Sequence, residues 1–218
     1  MSISPERILY KDDYLLAVNK RAGELVVRAG EGGELPLYDF LHKDYPGLRV
    51  VHRLDFGTSG VVLFARTADA SIKIRESKFA GWKKSYRALV VGKIADRSGV
   101  IRTPLQARTH PGLVGAVTRY RVLDTFPFAT YVEAQIDTGR RHQIRQHFAG
   151  IGHPLLLDPQ YGDAKKDRAF KKHFKYRRLF LHAAALTLPH PITGEKIHIE
   201  APLPGPFLTV LQEMSRRA

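Results

Sequence analysis

Residues 51–65 read VHRLDFGTSGVVLFA, a polar turn that runs directly into an apolar stretch. The apolar stretch is short enough for a buried strand, and the glycines and hydroxyl residues before it indicate a tight turn. Asp55 lies in this turn, where a carboxylate can face a cleft and act as a nucleophile or base. Thr58 would hold the loop through local hydrogen bonds. Taken alone, the motif more often indicates an aspartate that only caps its turn, and His52 and Arg53 are equally compatible with a surface salt bridge.

Strands alternate irregularly with helices on both sides of this turn. Short alternating or continuous apolar runs predict strands, and apolar positions spaced three, four and seven residues apart predict helices. This irregular order favours an α+β or mixed α/β fold over a doubly wound array of βαβ units. The predicted strands span 14–19, 60–66, 85–94, 117–123, 129–136, 179–188 and 196–200, and the predicted helices span 37–42, 68–79, 144–152 and 206–217.

A second candidate site is the basic motif at residues 138–147, which reads TGRRHQIRQH. Thr138 is the predicted N-cap of a helix, which would place Arg140 and Arg141 beside backbone N–H groups at an anion-binding end. Arg141 and Arg145 are four residues apart and would share one helix face, where either could pair with a buried carboxylate. The two histidines lie five residues apart without a carboxylate, which argues against a metal site. A solvated basic helix is the alternative for this motif alone.

A third candidate is Tyr86, within the run KKSYRALV at residues 83–90. A tyrosine at the start of a strand usually packs in the core or against a sheet edge. A phenol can also stack on a nucleic-acid base and exchange a proton. The residue types alone leave both interpretations open.

Charge is the most informative property of the composition. The 218 residues contain 35 Lys and Arg against 21 Asp and Glu, a formal net charge of +14, and residues 139–178 alone carry a net +8. Such an excess suits a polyanionic partner, most often nucleic acid, although a solvated basic surface is the simpler alternative. The absence of cysteine excludes disulfides, thiolate zinc sites, iron–sulfur clusters and a cysteine nucleophile. No apolar run approaches the roughly 20 residues of a membrane span, and without an apolar signal core at the N-terminus we expect a cytoplasmic protein.

The three motifs, in their order and spacing, resemble those of the RluA family of RNA pseudouridine synthases. The family's His-Arg-Leu-Asp followed by Thr-Ser-Gly corresponds to 52–60, and its Lys-x-Tyr strand corresponds to 84–86. Its Thr-Gly-Arg-x-His-Gln-(Ile/Leu)-Arg-x-His signature corresponds to 138–147. The Gly-His-Pro…Asp…Tyr-Gly and Leu-His-Ala elements that follow in the family correspond to 152–162 and 181–183.

Residues at two places in the chain depart from the family pattern. Arg21 replaces the usual proline after Asn-Lys, which would loosen that turn. Phe56 and Gly57 stand where many members carry a pair with a charged residue, so contacts around the flipped nucleotide would differ. The family also places an RNA-gripping loop within 96–116, where the match is weak.

The resemblance implies a fold and a set of catalytic residues. The fold is α+β, a mixed, mainly antiparallel sheet with flanking helices and a central basic cleft, formed by one catalytic domain over residues 1–218 without an N-terminal S4-like domain. Asp55 would be the essential carboxylate after base flipping, and Arg145 would be the arginine that keeps it ionised. Tyr86 would stack on the uracil and take the C5 proton.

The resemblance also implies how substrate is held. Arg53 would fill the gap left by the flipped base or grip phosphate, Leu181 would wall the base pocket, and His142 would support its helix or a phosphate. The expected substrate-binding residues are His52, Arg53, Thr58, Arg140, Arg141, His142 and Leu181.

The expected partner is RNA, a tRNA or rRNA stem-loop, bound by a monomer without membrane contact. Because the reaction is an isomerisation with no group donor, no cofactor and no metal are expected. A non-catalytic RNA-binding or RNA-chaperone module with the same fold is the alternative. A DNA-binding protein is a weaker alternative, since neither a helix-turn-helix nor a zinc module is visible.

Overall fold

The structure is a computed structural model that describes residues 3–28, 35–107 and 111–217. A short 3-10 helix at Pro5–Arg7 precedes the regular elements. In chain order these are β1 (Ile8–Lys11), β2 (Leu15–Lys20), α1 (Leu37–Asp44), β3 (Arg49–Val50), β4 (Ser59–Ala65), α2 (Ala68–Glu76), β5 (Lys83–Val91), β6 (Ser98–Ile101), β7 (Leu105–Gln106), β8 (Leu113–Val114), β9 (Thr118–Thr125), β10 (Ala129–Ile136), α3 (Gln143–Gly150), α4 (Ala164–His173), β11 (Leu181–Pro189), β12 (Lys196–Glu200) and α5 (Gly205–Ser215).

The chain folds into two compact units. The first contains Met1–Lys83 and Ala183–Pro202, and the second contains Lys84–His182 and Leu203–Ala218. The chain therefore leaves and re-enters each unit once, and β11 contributes its first two residues to the second unit and the rest to the first. The single catalytic domain expected from the sequence stays a prediction.

The first unit is built on β2 and β4, which pair antiparallel from Leu15 opposite Ala65 to Lys20 opposite Gly60. All seven residues of β4 are buried, as its continuous apolar sequence predicts for a strand covered on both faces. β1 pairs with β2, β3 with β4, and β12 with β11, all antiparallel. The core of this unit consists of Leu15, Ala17, Val61, Leu63, Ile74, Trp82, Leu186, Leu188, Ile199 and Ala201.

The second unit contains an antiparallel meander. β10 pairs with β5 on one side and with β9 on the other, and β6 pairs with β9. Aromatic rings fill much of its core, with ring centroids 4.7 Å apart for Phe170 and Phe174 and 4.8 Å apart for Phe180 and Phe207. These rings pack α4 and α5 into the unit, because each ring removes a large apolar area from water.

The predicted fold class, a mainly antiparallel sheet with flanking helices, is confirmed by these pairings. The helix predicted over 68–79 ends at Glu76, because Lys78 and Phe79 have φ values of 48° and 62°, which a helix cannot contain. Helix α4 is not predicted from the sequence, because its residues are too polar to show a periodic apolar pattern. Segment 96–116 holds β6, β7 and β8, and its residues 108–110 lie outside the described part.

Within residues 3–28, 35–107 and 111–217, no helix is long and apolar enough to cross a bilayer.

Gly60, at the start of β4, is required by a close backbone approach. Its φ is +110°, and a Cβ at this position would lie 2.1 Å from the carbonyl oxygen of Ala183 and 2.7 Å from its nitrogen. Neither distance is physically possible, so only glycine fits where β4 passes the backbone of β11.

We predict that Gly60→Ala lowers the free energy of unfolding by about 3 kcal/mol or more, because backbone must move to admit the methyl group. The matched control is Gly150→Ala, where a Cβ meets nothing within 4 Å and the residue ends a helix. That control should be neutral or stabilising by up to about 1 kcal/mol. Urea unfolding of the two variants measures both values, and equal midpoints would contradict the prediction.

Candidate active site

Asp55 lies in the turn that leads into β4. The backbone N–H of Thr58 donates to the carbonyl of Asp55 at 3.0 Å, which closes the turn. Leu54 on one side and Thr58 on the other are buried, at 7% and 2% exposure, while Asp55 is only partly buried. The turn is thus anchored at both ends and holds the aspartate between its anchors. The local hydrogen bond predicted for Thr58 is made by its backbone.

Lys20 holds the same turn through hydrogen bonds to backbone carbonyls. It ends β2 with no solvent exposure, and its Nζ donates to the carbonyls of Arg21 at 2.9 Å, Glu24 at 2.6 Å and Phe56 at 3.2 Å. A buried ammonium is tolerated only where it is well coordinated, so three carbonyl dipoles around one charge form a strong constraint. Because Phe56 directly follows Asp55, this constraint sets the backbone next to the carboxylate.

His52 supports β4 by its ring. Its Nε2 accepts the backbone N–H of Leu63 at 3.0 Å, and its ring meets Trp82 edge-on at 5.6 Å. An accepting Nε2 places the proton of the neutral ring on Nδ1. Arg53, the next residue, is exposed. The substrate contacts expected of both side chains stay predictions.

In the second unit, α3 begins later than its sequence predicts. Thr138 is not the N-cap: the cap position is His142, with φ +53°, and the helix starts at Gln143. The side-chain Oε1 of Gln143 accepts a hydrogen bond from the Thr138 hydroxyl at 2.8 Å and another from the Arg140 N–H at 3.1 Å. Both groups would have been bonded within the first turn of the helix if the helix had started at Thr138. A buried glutamine with several good partners therefore prevails over the threonine cap.

This later start separates Arg141 from Arg145. The prediction that the two share a helix face is wrong, because Arg141 precedes α3 and is exposed whereas Arg145 is on the helix and 6% exposed. Arg140 is also exposed and its Nε donates to the carbonyl of Gly115 at 3.2 Å. Arg140 and Arg141 therefore present cations to solvent beside the start of α3.

Arg145 makes a buried fork with Asp158. Its Nε and Nη2 donate to the two carboxylate oxygens at 2.7 Å each, and the side chain of Asp158 is fully buried. Burial alone would raise the pKa of Asp158, but Arg145 and the N–H groups of Gln160 and Tyr161 hold that pKa below its ordinary value. The pair is therefore charged, and its bidentate geometry fixes the plane of the guanidinium.

Tyr161 continues this arrangement on the other side of Arg145. The guanidinium carbon lies 5.1 Å from the centre of the Tyr161 ring, and the Tyr161 hydroxyl lies 3.1 Å from Nδ1 of His142. The two rings meet edge-on at 5.7 Å. His142 thus orients the tyrosine that covers Arg145. The role expected for His142 toward its helix or a phosphate stays a prediction.

Tyr86 and Lys84 lie two residues apart on β5 and therefore point to one face of that strand. Tyr86 is 9% exposed and pairs with Ala134 of β10 in the sheet register. Burial lowers the pKa of Lys84. A Cβ on Gly139 would lie 3.5 Å from the Lys84 Nζ, so this ammonium borders the loop that leads into α3. Leu181, at the start of β11, is 4% exposed.

The site residues of each unit are thus brought together within that unit. The first gathers His52, Asp55 and Thr58 around the turn, and the second gathers His142 and Arg145. Sequence reasoning assigned no role to three residues that hold these groups, Lys20, Asp158 and Tyr161. Asp158 and Tyr161 stood within a recognised motif, and Lys20 was visible as a lysine that ends an apolar strand. Among the described residues, no group of three or more His, Asp or Glu side chains is arranged to hold a metal ion.

We predict that Lys20→Met lowers the free energy of unfolding by about 2–4 kcal/mol, because three carbonyl groups lose a charged donor. Lys11→Met is the control, since Lys11 is an exposed lysine on the neighbouring strand. Chemical denaturation would show a shift for the first variant only. A Lys20→Met protein within about 0.5 kcal/mol of the wild type would remove Lys20 from this role.

Asp158→Asn should destabilise the protein by about 3–5 kcal/mol near neutral pH, because it leaves the buried Arg145 charge without its partner. A carboxyl with a lowered folded-state pKa stabilises the fold above its unfolded pKa of about 3.9 and loses that contribution as the pH falls. The difference between wild type and variant should therefore shrink below about pH 4. Denaturation at several pH values measures it, with exposed Asp124→Asn as the control. A difference independent of pH would contradict the charged pair.

Comparison with known proteins places this chain among enzymes that modify RNA. A family model described as RNA pseudouridylate synthase matches residues 14–150. Ribosomal large subunit pseudouridine synthase C of Vibrio vulnificus (strain CMCP6) is 36% identical over 221 residues, which span 95% of this chain and 69% of the relative. The enzyme of the same name from Escherichia coli (strain K12) is 37% identical over 222 residues, with the same two coverages. Ribosomal large subunit pseudouridine synthase D of Nitrosomonas europaea is 37% identical over 225 residues, spanning 95% of this chain and 65% of the relative.

Solved structures agree with the sequence comparison. Human RNA Pseudouridylate Synthase Domain Containing 4 matches with a TM-score of 0.79 and 27% identity, covering 96% of this chain and 93% of its own. Human RNA Pseudouridylate Synthase Domain Containing 1 matches with a TM-score of 0.75 and 25% identity, covering 93% and 86%. The chain therefore belongs to the RluA family of RNA pseudouridine synthases, which are isomerases.

Proposed function

We propose that this enzyme converts a specific uridine of ribosomal RNA to pseudouridine, with Asp55 as its essential carboxylate. The observation that carries the proposal is the turn at Asp55, which Thr58 closes and Lys20 ties down at the next residue. A catalytic group must be held in a fixed geometry, and this turn holds Asp55 more firmly than a solvent-exposed cap requires. Ribosomal RNA is the first substrate to test, because the curated relatives are named for it, and transfer RNA is the second.

The chemistry is an isomerisation in which every atom of the uridine is retained except for one exchanged proton. The target base leaves its stack, at a cost of a few kcal/mol that is lowest in a loop. The bond between N1 and C1′ breaks, the uracil turns, and C5 bonds to C1′. C5 then loses its proton and N1 gains one. Attack of Asp55 on C1′ and removal of the C2′ proton by Asp55 are both compatible with this balance, and both begin from an ionised carboxylate.

Arg145 would keep Asp55 ionised, as the resemblance implies. A guanidinium has five N–H donors, so its fork to Asp158 is compatible with a role toward a second carboxylate. A guanidinium held by a fork and covered by a ring loses little freedom when it meets another anion. Asp158 and Tyr161 are positioning residues for Arg145 in this proposal.

The other site residues would act on the RNA itself. Tyr86 would stack on the uracil and accept the C5 proton directly or through water, and Leu181 would wall the base pocket. Arg53 would fill the gap left by the flipped base. Arg140 and Arg141, both exposed, would contact phosphates, which position RNA without reading its sequence. The monomeric state and the cytoplasmic location expected from the sequence stay predictions.

The proposed function is tested by release of tritium from RNA that carries 5-³H-uridine. Wild type should release tritium from an unmodified ribosomal RNA transcript, and Asp55→Ala should reduce the rate by about 10³-fold or more, as expected for loss of an essential acid–base or nucleophilic group. Binding of the transcript should change less than about threefold, because one carboxylate adds nothing to phosphate contacts. Asp69→Ala is the control, since Asp69 is an exposed carboxylate on α2 of the same unit.

Each outcome has a distinct meaning. Release by Asp55→Ala at the wild-type rate would refute the role of Asp55. Release from transfer RNA but not from ribosomal RNA would change the substrate and leave the mechanism standing. Tight binding without release from either RNA by the wild type would favour the alternative, a non-catalytic RNA-binding module.

A further inference from the structure

Helix α4 carries cations that the proposed mechanism does not use. It has ten residues, of which only Asp167 and Phe170 are buried. The lysine and arginine residues of the helix are all exposed: Lys165, Lys166, Arg168, Lys171 and Lys172. Five exposed cations on so short a helix repel one another, and the fold gains nothing from that repulsion.

Two of these five cations have a structural explanation. Lys166 lies 3.7 Å from Asp163, the N-cap residue, and Lys171 lies close enough to the buried Asp167 carboxylate to oppose the burial that raises the pKa of that group. The remaining three, Lys165, Arg168 and Lys172, make no side-chain ion pair or hydrogen bond with any of the described residues.

These three residues form one stripe. They recur at i, i+3 and i+7, and at 100° per residue this places them on the face opposite Asp167 and Phe170. The stripe extends about 10 Å along the axis, at 1.5 Å per residue. Lys165 moreover lies in the first turn, where the helix dipole disfavours a cation. Neither packing nor helix energetics accounts for the stripe, so an external anion is the remaining reason for it.

The helix that carries the stripe is firmly connected to Arg145. Asp167 accepts the backbone N–H of Leu157 at 2.9 Å, and the next residue is Asp158, the partner of Arg145. A Cβ on Gly162 would lie 2.3 Å from the carbonyl oxygen of Asp158, so the link between the pair and the helix is closely packed. An anion bound to the stripe would therefore be held in register with Arg145.

We propose that Lys165, Arg168 and Lys172 form a phosphate-contact stripe that binds the backbone of the substrate RNA and sets its register on the second unit. The proposal rests on the proposed function only for the identity of the RNA. Phosphates repeat along one strand as the stripe repeats along the helix, and long flexible side chains tolerate any base sequence. A membrane surface fits less well, because the only large apolar residue within α4 is buried, although exposed Phe128 packs beside it at 6.3 Å from Phe170.

The test compares two variants with the same change in charge. The stripe variant is K165Q/R168Q/K172Q, and the control is K43Q/R75Q/K196Q, whose residues are exposed and lie on three different elements of the first unit. Binding of a ribosomal RNA transcript is measured from low to high KCl, and turnover is measured by tritium release. Binding is read without turnover, so failure of the isomerase assay and failure of the stripe remain distinguishable.

We expect the stripe variant to bind RNA about 10- to 100-fold more weakly near physiological salt. The logarithm of the association constant decreases linearly with the logarithm of the salt concentration. The magnitude of this slope should be smaller by about 2 to 3 in the stripe variant, close to one unit for each lost phosphate contact. KM should rise with Kd while kcat stays within about twofold. Its melting temperature should equal or exceed that of the wild type, because the repulsion is gone. The control should change Kd by less than about threefold.

Three results would overturn the proposal. An equal decrease in the salt dependence of RNA binding in both variants would show that only net charge matters. A fall in kcat at unchanged KM would show that α4 acts on the fold of the site instead of on RNA. Loss of binding to vesicles containing anionic phospholipid, with RNA binding intact, would assign the stripe to a membrane surface.

Discussion

The buried ion pair between Arg145 and Asp158 is the interaction on which most of the second unit's site depends. Removing a guanidinium and a carboxylate from water costs desolvation free energy. That free energy is recovered only when both charged groups have good hydrogen-bond partners. Asp158 meets this condition by accepting the two N–H groups of Arg145 and two backbone N–H groups of the loop that follows it. A different loop conformation would break these hydrogen bonds to Asp158. The ion pair therefore stabilises the loop conformation, and the loop in turn positions Asp158 for the ion pair. Tyr161 and the start of α4 follow from that loop.

In the first unit, a buried cation is likewise stabilised by hydrogen bonds to its surroundings. The Lys20 ammonium donates to three backbone carbonyl oxygens, those of Arg21, Glu24 and Phe56. Carbonyls are weaker partners than carboxylates, but they cannot titrate, so this part of the environment stays constant through the acid range. These three carbonyl contacts tie the turn that holds Asp55 to the end of β2.

Much of the fold could be predicted because its central strands are apolar and short. β4 consists of seven buried residues, as its continuous apolar run predicts, and β10 matches its predicted range. Both predictions depend only on the residues of the strand itself. The start of α3 could not be predicted, because Gln143 forms bonds to Thr118 and to the backbone of Val117, which lie 25 and 26 residues away in sequence. Helix α4 was missed because its sequence is too polar for a periodic apolar pattern, and its one large apolar residue, Phe170, packs on Phe128 and Phe180 from other segments. The roles expected of Asp55, Tyr86 and Arg145 came from the resemblance of their motifs to the RluA family, whereas Asp158 and Lys20 acquire their roles only from the fold.

The distribution of acids explains how so basic a chain folds. The acids with lowered pKa values are held by donors of their own unit. Burial alone would raise the pKa of Glu133, yet hydrogen bonds from Arg87, Ser85 and Arg121 lower it to about 2. The same kind of contact lowers the pKa of Asp158. Each acid engaged in this way neutralises a cation of the fold, so the excess charge belongs to cations such as those of α4 that face solvent. Most of the net charge of +14 therefore lies at the surface, which is where a polyanion binds.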